Sequence, residues 1–446
     1  MRILIHTLGC KLNQSESEAL ASQFAGQGFF IVSSGEKPDL IIVNTCTVTS
    51  KSAQKSRRII RKLSAENPQA LVIITGCYAQ IDSEYLSGLI PNGFVLPHDN
   101  KDILLDLPLK MESKNSGEVK EILTELLRAR KDQENMPKNT RFRYRIKDLR
   151  FHSRAFVKIQ DGCNNACSYC IVPFTRGPSI SMKAEEIISD AVELEKRGYK
   201  EIVLTGVNIT SYKEQNRRLA GLLEDLIEKT DSVRFRLSSL EPDGIDESLV
   251  RIASSPRICP HFHLPVQSLS DKILDSMNRK YHSGVVYNAL AMLRECKTDP
   301  FLAGDFILGF PGETEDDFSA TKEGIIEAGF SQLHVFQFSP RPGTRAVKFR
   351  EKIPERIAKE RSGELIQISQ DLYKRYAENW IGRTLYALVE KIGESGEGEC
   401  GGTTENYLHV KFEKGSISSL HKGMLCGGTI QKVLSDHCIF QAEDCN

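Results

Sequence analysis

The chain has 446 residues, more than one hydrophobic core organises, so roughly two to four domains are expected. Hydrophobic residues make up 40% and charged residues 26%, which excludes a disordered chain, and no apolar run reaches the roughly 18 residues that span a bilayer. Lys+Arg and Asp+Glu both number 59, so overall charge names no partner and a nucleic-acid surface must come from local clustering.

The N-terminal apolar stretch runs straight into "CKLNQSESE", without a signal-peptide layout, so a cytoplasmic, thiol-reducing setting is expected. Twelve cysteines in such a chain argue for metal or catalytic use rather than a disulfide scaffold. Three short apolar runs end in cysteine: "ILIHTLGC" (3–10), "DLIIVNTC" (39–46) and "ALVIITGC" (70–77). Helical patterns lie between them at 16–29 and 51–67. Strands alternating with helices predict a doubly wound parallel sheet, in which functional groups gather at the carboxyl ends of the strands. Cys10, Cys46 and Cys77 would then meet on one edge. Three unrelated buried thiols are the plain alternative, against which their shared position speaks.

Residues 118–133 predict a helix, and the polar, basic 135–154 reads as a linker or extended arm. From residue 155 a second alternating series supplies six candidate strands, at 155–161, 201–207, 233–239, 261–267, 303–309 and 333–339. Helical patterns such as 183–198 and 314–329 follow them, which predicts a partial (β/α)6 barrel, shorter than the full eight-unit form. Beyond about residue 379 the pattern changes to short strands at 384–392, 407–413, 425–436 and 438–443 between Gly-rich turns. They predict a small antiparallel β-barrel of a kind that often binds RNA. The fold class is thus α/β with an all-β tail.

The strongest chemical motif is "GCNNACSYC" (162–170), a CxxxCxxC at Cys163, Cys167 and Cys170 after the first barrel strand. Three thiolates on one loop can hold three irons of a [4Fe–4S] cluster, and an electron carrier would supply a fourth cysteine nearby. The next one here is Cys259, on a different βα unit. One iron is left open for a chelating ligand. Structural zinc normally takes four ligands in CxxC-type pairs. Further candidates sit at strand ends: Ser238, Ser239 and Glu241 in "RLSSLEP", Gly206 in "LTGVN", and Gln267. A carboxylate there could accept bonds from ribose hydroxyls; a purely structural role is the alternative for each. "GFPGET" (309–314) reads as a turn and helix start. Cys259, Cys296, Cys400, Cys426, Cys438 and Cys445 form no pattern and read as structural or incidental.

Two basic stretches could meet RNA. Lys51, Lys55, Arg57, Arg58, Arg61 and Lys62 share one predicted helix; Arg141, Arg143, Arg145, Lys147, Arg150 and Arg154 interleave with Phe142, Tyr144 and Phe151. Cations on phosphates and aromatics on unstacked bases are what loop recognition requires. A charge run is more often a solvated face.

Taken with "TLGCKLNQSESE", "NTCTVTSKSAQKSRRIIRK", "TGCYAQ", "KIQDGCNNACSYCIVPFTRGPS", "RLSSLEP", "HLPVQS", "GFPGET" and "GGTTENYLHV", the chain resembles the radical S-adenosylmethionine (SAM) superfamily. Within it the resemblance is to the methylthiotransferases, of the type that acts on threonylcarbamoyladenosine in tRNA. It implies an N-terminal methylthiotransferase domain (1–110), a helical and basic linker (111–150), a radical SAM partial barrel (151–378) and a TRAM RNA-binding β-barrel (379–446).

The resemblance implies two [4Fe–4S] clusters and SAM. Cys163, Cys167 and Cys170 would ligate the cluster whose open iron SAM completes, with Tyr169 packing against the adenine. Cys10, Cys46 and Cys77 would ligate the auxiliary cluster that carries the sulfur. The implied reaction converts N6-threonylcarbamoyladenosine at position 37, in the anticodon stem-loop, to its 2-methylthio derivative. One SAM methylates cluster-bound sulfur and another supplies a 5′-deoxyadenosyl radical. A flavodoxin or ferredoxin would donate electrons; the sulfur donor stays open. Rival readings are a sister enzyme acting on isopentenyladenosine or on a ribosomal-protein aspartate, and a non-catalytic iron–sulfur RNA-binding protein. The chain departs from the family pattern at Leu269, Ala166 and Thr210, which puts loops at the barrel top in doubt.

Overall fold

The computed structural model describes residues 1–111, 118–132, 140–145, 152–393, 400–413 and 420–445. Five parallel strands open the chain: β1 (Arg2–Thr7), β2 (Phe30–Ile31), β3 (Leu40–Thr45), β4 (Leu71–Gly76) and β5 (Gly93–Val95), in the order β2-β1-β3-β4-β5. β3 and β4 are buried at every position because both faces are covered, which is why they read as continuous apolar runs. Ile3, Leu40, Ile42 and Ile73 pack with Leu20 and Phe24 of α1 (Lys11–Gly26). Ile41, Val43, Val72 and Ile74 pack with Ala53 and Ile60 of α2 (Ser50–Glu66), which starts at a Thr49–Ser52 capping box.

The expected partial barrel follows. The strands Ala155–Lys158, Glu201–Thr205 and Arg234–Leu237 form one parallel sheet, and His261–Gln267, Phe301–Leu308 and Gln332–Gln337 another. Single parallel bridges, Phe235–Ile258 and Ser239–His263, join them into an open half-barrel. Alternation sorts the side chains: Phe262, Leu264, Val266, Leu302, Phe306 and Leu333 enter the helix-covered core. His261, His263, Asp305 and His334 therefore point to the concave face. The "GFPGET" segment is a turn leading into the helix Glu315–Ala328, capped by a Thr314–Asp317 box.

The C-terminal barrel is closed, and differs from expectation in two ways. "GGTT" forms a fifth strand, Gly401–Thr404, which its glycines hid. The pair His409–Phe412 and Cys438–Cys445 is parallel, because an odd number of strands cannot close with every neighbour antiparallel. Cys426 and Cys445, read as structural or incidental, lie opposite one another in this barrel and form a disulfide. Strand register, invisible in sequence spacing, decides that pairing.

This small barrel closes the bottom of the half-barrel. Arg236 is fully buried and donates to the carbonyls of Thr404 and Glu405, each at 3.0 Å, while Glu201 binds both Arg234 and Arg236 at 2.7 Å. Tyr407, with φ at +68°, stacks on His261 at 4.0 Å between ring centroids. The segment that carries the TRAM resemblance thus faces the half-barrel: Thr403, Thr404 and Asn406 are buried. No helix among the described residues is long and apolar enough to cross a membrane.

Candidate functional site: two cysteine triads

Adjacent strands β1, β3 and β4 deliver Cys10, Cys46 and Cys77 to one sheet edge. Cys10 caps α1, Cys46 follows β3 directly, and Cys77 opens the short helix Cys77–Ile81. The preceding glycines have a steric reason. Gly9 (φ +104°) lies so close that an added Cβ would sit 2.7 Å from Cys46 Cβ, and at Gly76 (φ +94°) it would sit 2.5 Å from the Thr45 carbonyl oxygen. Burial pushes the Cys46 thiol up and the Cys77 thiol up to about 11, the latter against the nearby Arg176.

The second triad lies on the loop after Ala155–Lys158. Its entry is Gly162, where an added Cβ would meet the Pro178 carbonyl oxygen at 2.0 Å. The loop is pinned from across the barrel: Ser168 N donates to the Met277 carbonyl and Ala346 N to the Ser168 carbonyl, both at 2.8 Å. Burial pushes the Cys163 thiol up and Cys170 up to about 12. Such thiols are poor nucleophiles; a cation is what ionises them.

Three thiolates in each set are the donors an iron–sulfur cluster takes. Sulfurs on one tetrahedral ion at about 2.3 Å would lie roughly 4 Å apart. The groups with three donor atoms within 4.8 Å are Glu16–His98–Asp161 and His263–Asp305–His334, and neither cysteine triad is among them. Cations already occupy the first of these groups.

Those cations join the triads. Arg176, just past Cys170, donates to Asn13 Oδ1 at 2.8 Å, Glu16 Oε1 at 3.1 Å and Asp161 Oδ1 at 3.0 Å. Lys158 binds Glu16 at 2.9 Å and Asp161 at 3.1 Å, and Lys101 binds Glu16 and Asn44. Burial alone would raise the Glu16 carboxyl, but Arg176, Lys101 and Lys158 outweigh it and hold it well below the usual range. Sequence reading missed this network, although a signal existed: "NQSES" puts Asn13, Ser15, Glu16 and Ser17 of α1 in fully buried positions.

The other candidates divide. Tyr169 is half-buried, edge-on to Phe310, with its hydroxyl 3.5 Å from Arg279. Arg279, also missed, donates to Cys167 Sγ at 3.4 Å and pairs with Glu241. Ser238 Oγ is buried without a hydrogen-bond partner, and Gln267 holds φ at +73°, both consistent with a ligand-binding strand end. Ser239 reaches His263 Nδ1 at 3.3 Å. Gly206 instead makes room for Gln160, whose Oε1 would lie 2.9 Å from an added Cβ. A cavity of about 630 Å³ opens beside Cys163, lined by Asn164, Asn165, Ser179, Asn208 and Lys213.

The family departures are accommodated. Leu269 packs over Gly324, Thr210 fills the space Gly244 leaves, and the exposed Ala166 offers its carbonyl to Asn278 at 2.7 Å.

The two basic stretches separate as well. Lys51, Lys55, Arg58, Arg61 and Lys62 are exposed along α2, and Arg57 bonds the Tyr78 hydroxyl at 2.8 Å. The second stretch does not form an RNA arm in its described part. Arg143 pairs with Asp102 and Asp106, Arg145 with Asp190 and Arg154 with Glu390, while Phe142 and Tyr144 are buried. Lys147, Arg150 and Phe151 lie outside the described residues.

Comparison with known proteins bears on the family and the fold. The model of the Radical SAM superfamily matches residues 157–324, and that of the uncharacterized protein family UPF0004 matches residues 2–96. The chain is 36% identical to the threonylcarbamoyladenosine tRNA methylthiotransferase MtaB of Treponema pallidum, over 94% of this chain and 96% of that one. It belongs to the radical SAM methylthiotransferases. This methylthiotransferase is also 33% identical to the tRNA-2-methylthio-N(6)-dimethylallyladenosine synthase of Thermodesulfovibrio yellowstonii, over 92% of each chain. In fold it is similar to the radical SAM methyltransferase TsrM of Kitasatospora setae, with a TM-score of 0.52, 13% identity, and coverage of 77% of this chain and 76% of that one.

Proposed function

We propose that the protein converts N6-threonylcarbamoyladenosine at position 37 of tRNA to its 2-methylthio derivative. The observation that carries this reading is the 36% identity, over 94% of the chain, to a relative named for that nucleoside, against 33% for one named for the dimethylallyl nucleoside. Adenine C2 bears a hydrogen that no protein base readily removes, so the chemistry calls for a radical.

Cys163, Cys167 and Cys170 would hold one [4Fe–4S] cluster, and Cys10, Cys46 and Cys77 the other. When bound, the first with SAM supplies the 5′-deoxyadenosyl radical and the second the sulfur to be inserted. The chain's own residues prepare the space between. Arg176 and its buried partners hold the two cysteine-bearing edges at a fixed separation. Tyr169 and Arg279 flank the triad Cys163, Cys167 and Cys170, and Ser238, Glu241 and Gln267 offer polar groups to SAM. The small barrel closes the bottom of the half-barrel and keeps bulk water from that side. The exposed cations of α2 would take the phosphates of the anticodon stem-loop. A flavodoxin or ferredoxin is the proposed electron donor, and the proposed setting is the cytoplasm.

Mass spectrometry of tRNA nucleosides from a strain lacking the gene tests the reading. Loss of 2-methylthio-threonylcarbamoyladenosine alone is expected. Loss of the isopentenyl product instead would overturn it.

A further inference from the structure

Lys11 follows Cys10 directly and occupies the first turn of α1. Its side chain leaves the edge that carries Cys10, Cys46 and Cys77 and enters the half-barrel, where its ammonium lies 5.8 Å from the centre of the Tyr407 ring. Among the described residues that ammonium has no hydrogen bond and no ion pair. The anions nearest it are engaged elsewhere. Glu201 is held by Arg234 and Arg236. Asp305 gives Oδ1 to both His263, at 2.7 Å, and His334, at 3.1 Å. Arg154 and Arg236 add positive charge close by, both within 6.0 Å of the same Tyr407 ring. A half-buried cation with an aromatic ring beside it but no counter-ion in hydrogen-bond reach is poised to take an anion from outside.

The position of that cation relative to the reaction decides which anion. A nucleoside presented to the edge at Cys10 has residue 11 beside it. On adenine, C2 and the carbon bearing N6 flank the same ring nitrogen, so a group on N6 lies on the same side of the ring as the reacting carbon, within reach of the half-barrel. An isopentenyl group carries no charge, whereas a threonylcarbamoyl group ends in a carboxylate and a hydroxyl. Asp305 Oδ2, which accepts no hydrogen bond among the described residues, can accept from that hydroxyl.

We propose that Lys11 selects the substrate by binding the carboxylate of the threonylcarbamoyl group on N6 of the target adenosine. The proposal rests on threonylcarbamoyladenosine being the substrate. It makes Lys11 a specificity residue: it touches the substituent and leaves the reacting carbon to the cysteine edges.

The test uses reconstituted enzyme and three anticodon stem-loop RNAs. One carries threonylcarbamoyladenosine, one the same group with its carboxylate converted to a carboxamide, and one unmodified adenosine. Binding is read by fluorescence anisotropy and conversion by mass spectrometry. Wild type should bind the carboxylate loop at least about tenfold more tightly than the carboxamide loop, since a charged hydrogen bond is lost with the carboxylate. Lys11→Met should erase that preference while leaving affinity for the unmodified loop and uncoupled cleavage of SAM unchanged. Lys11→Arg should restore most of the preference. Equal wild-type affinity for the two modified loops, or a preference that survives Lys11→Met, overturns the proposal. Weaker binding of the unmodified loop by Lys11→Met would also overturn it, because Lys11 would then be a phosphate contact. Failure of wild type to convert the carboxylate loop at all would instead overturn the reading of the substrate, before any variant is compared.

Discussion

Arg176 Nη2 donates to Asn13 Oδ1 at 2.8 Å. Asn13 stands shortly after Cys10 and Arg176 shortly after Cys170, so one hydrogen bond ties the helix leaving one triad to the helix leaving the other. Asn13 in turn donates to the carbonyls of Leu8, at 2.8 Å, and Thr45, at 3.1 Å, which clamps the two loops ending in Cys10 and Cys46. Burial would lower the Arg176 pKa, but Glu16 and Asp161 outweigh it and keep the guanidinium charged.

Removing that cation leaves Glu16 and Asp161 buried with too little positive charge. Arg176→Met should therefore cost about 3–5 kcal/mol of stability, read from urea denaturation. A loss within about 1 kcal/mol of zero would show that the network does not hold the two edges together.

Gly162→Ala tests the loop that carries Cys163, Cys167 and Cys170, because a Cβ there would collide with the Pro178 carbonyl oxygen. Reconstituted iron should fall from about eight to about four per chain as one of two four-iron clusters is lost. Gly198, also at positive φ but with open space around it, supplies the control: Gly198→Ala should keep its iron.

Cys10→Ala separates the roles of the two triads. The variant should still cleave SAM to 5′-deoxyadenosine and form no methylthio nucleoside. Undiminished methylthio product would remove Cys10 from the sulfur-carrying edge.

His98 gives a pH dependence with a definite sign. Burial first, and Arg176 second, hold its pKa down to about 3, against 6.5 for an unperturbed histidine. Below pH 6.5 the unfolded chain takes up a proton that the native chain refuses. This contribution is therefore complete above pH 6.5 and declines as pH falls toward 3, by up to about 1.4 kcal/mol per unit. His98→Gln should flatten the stability profile between pH 6 and 5 by that slope. Parallel profiles would mean that His98 titrates normally.

The exposed cations of α2 should carry part of the tRNA affinity. Lys55→Glu with Arg58→Glu should weaken binding across all tRNAs and lower the slope of log affinity against log salt by about one to two. An unchanged slope would place the RNA on another face.

How much of this was legible in the sequence follows from the range of the forces involved. The parallel sheet, the six barrel strands, the two cysteine triads and the capped helices rest on local patterns: alternation, apolar runs, caps and close spacing. Those patterns are written in neighbouring residues, so the sequence by itself determined the fold class and brought the six cysteines forward as candidates. Tertiary structure decided what depends on partners far along the chain. Arg143 and Arg145 looked like an RNA arm until Asp106 and Asp190 took their charges. Cys426 and Cys445 became a pair only through strand register. Gly206 serves Gln160, and Arg176 and Lys11 gained meaning only when two distant segments met. Burial makes the difference: a charge exposed on a helix can be read from its neighbours in sequence, whereas a buried charge is defined by whatever the fold places against it.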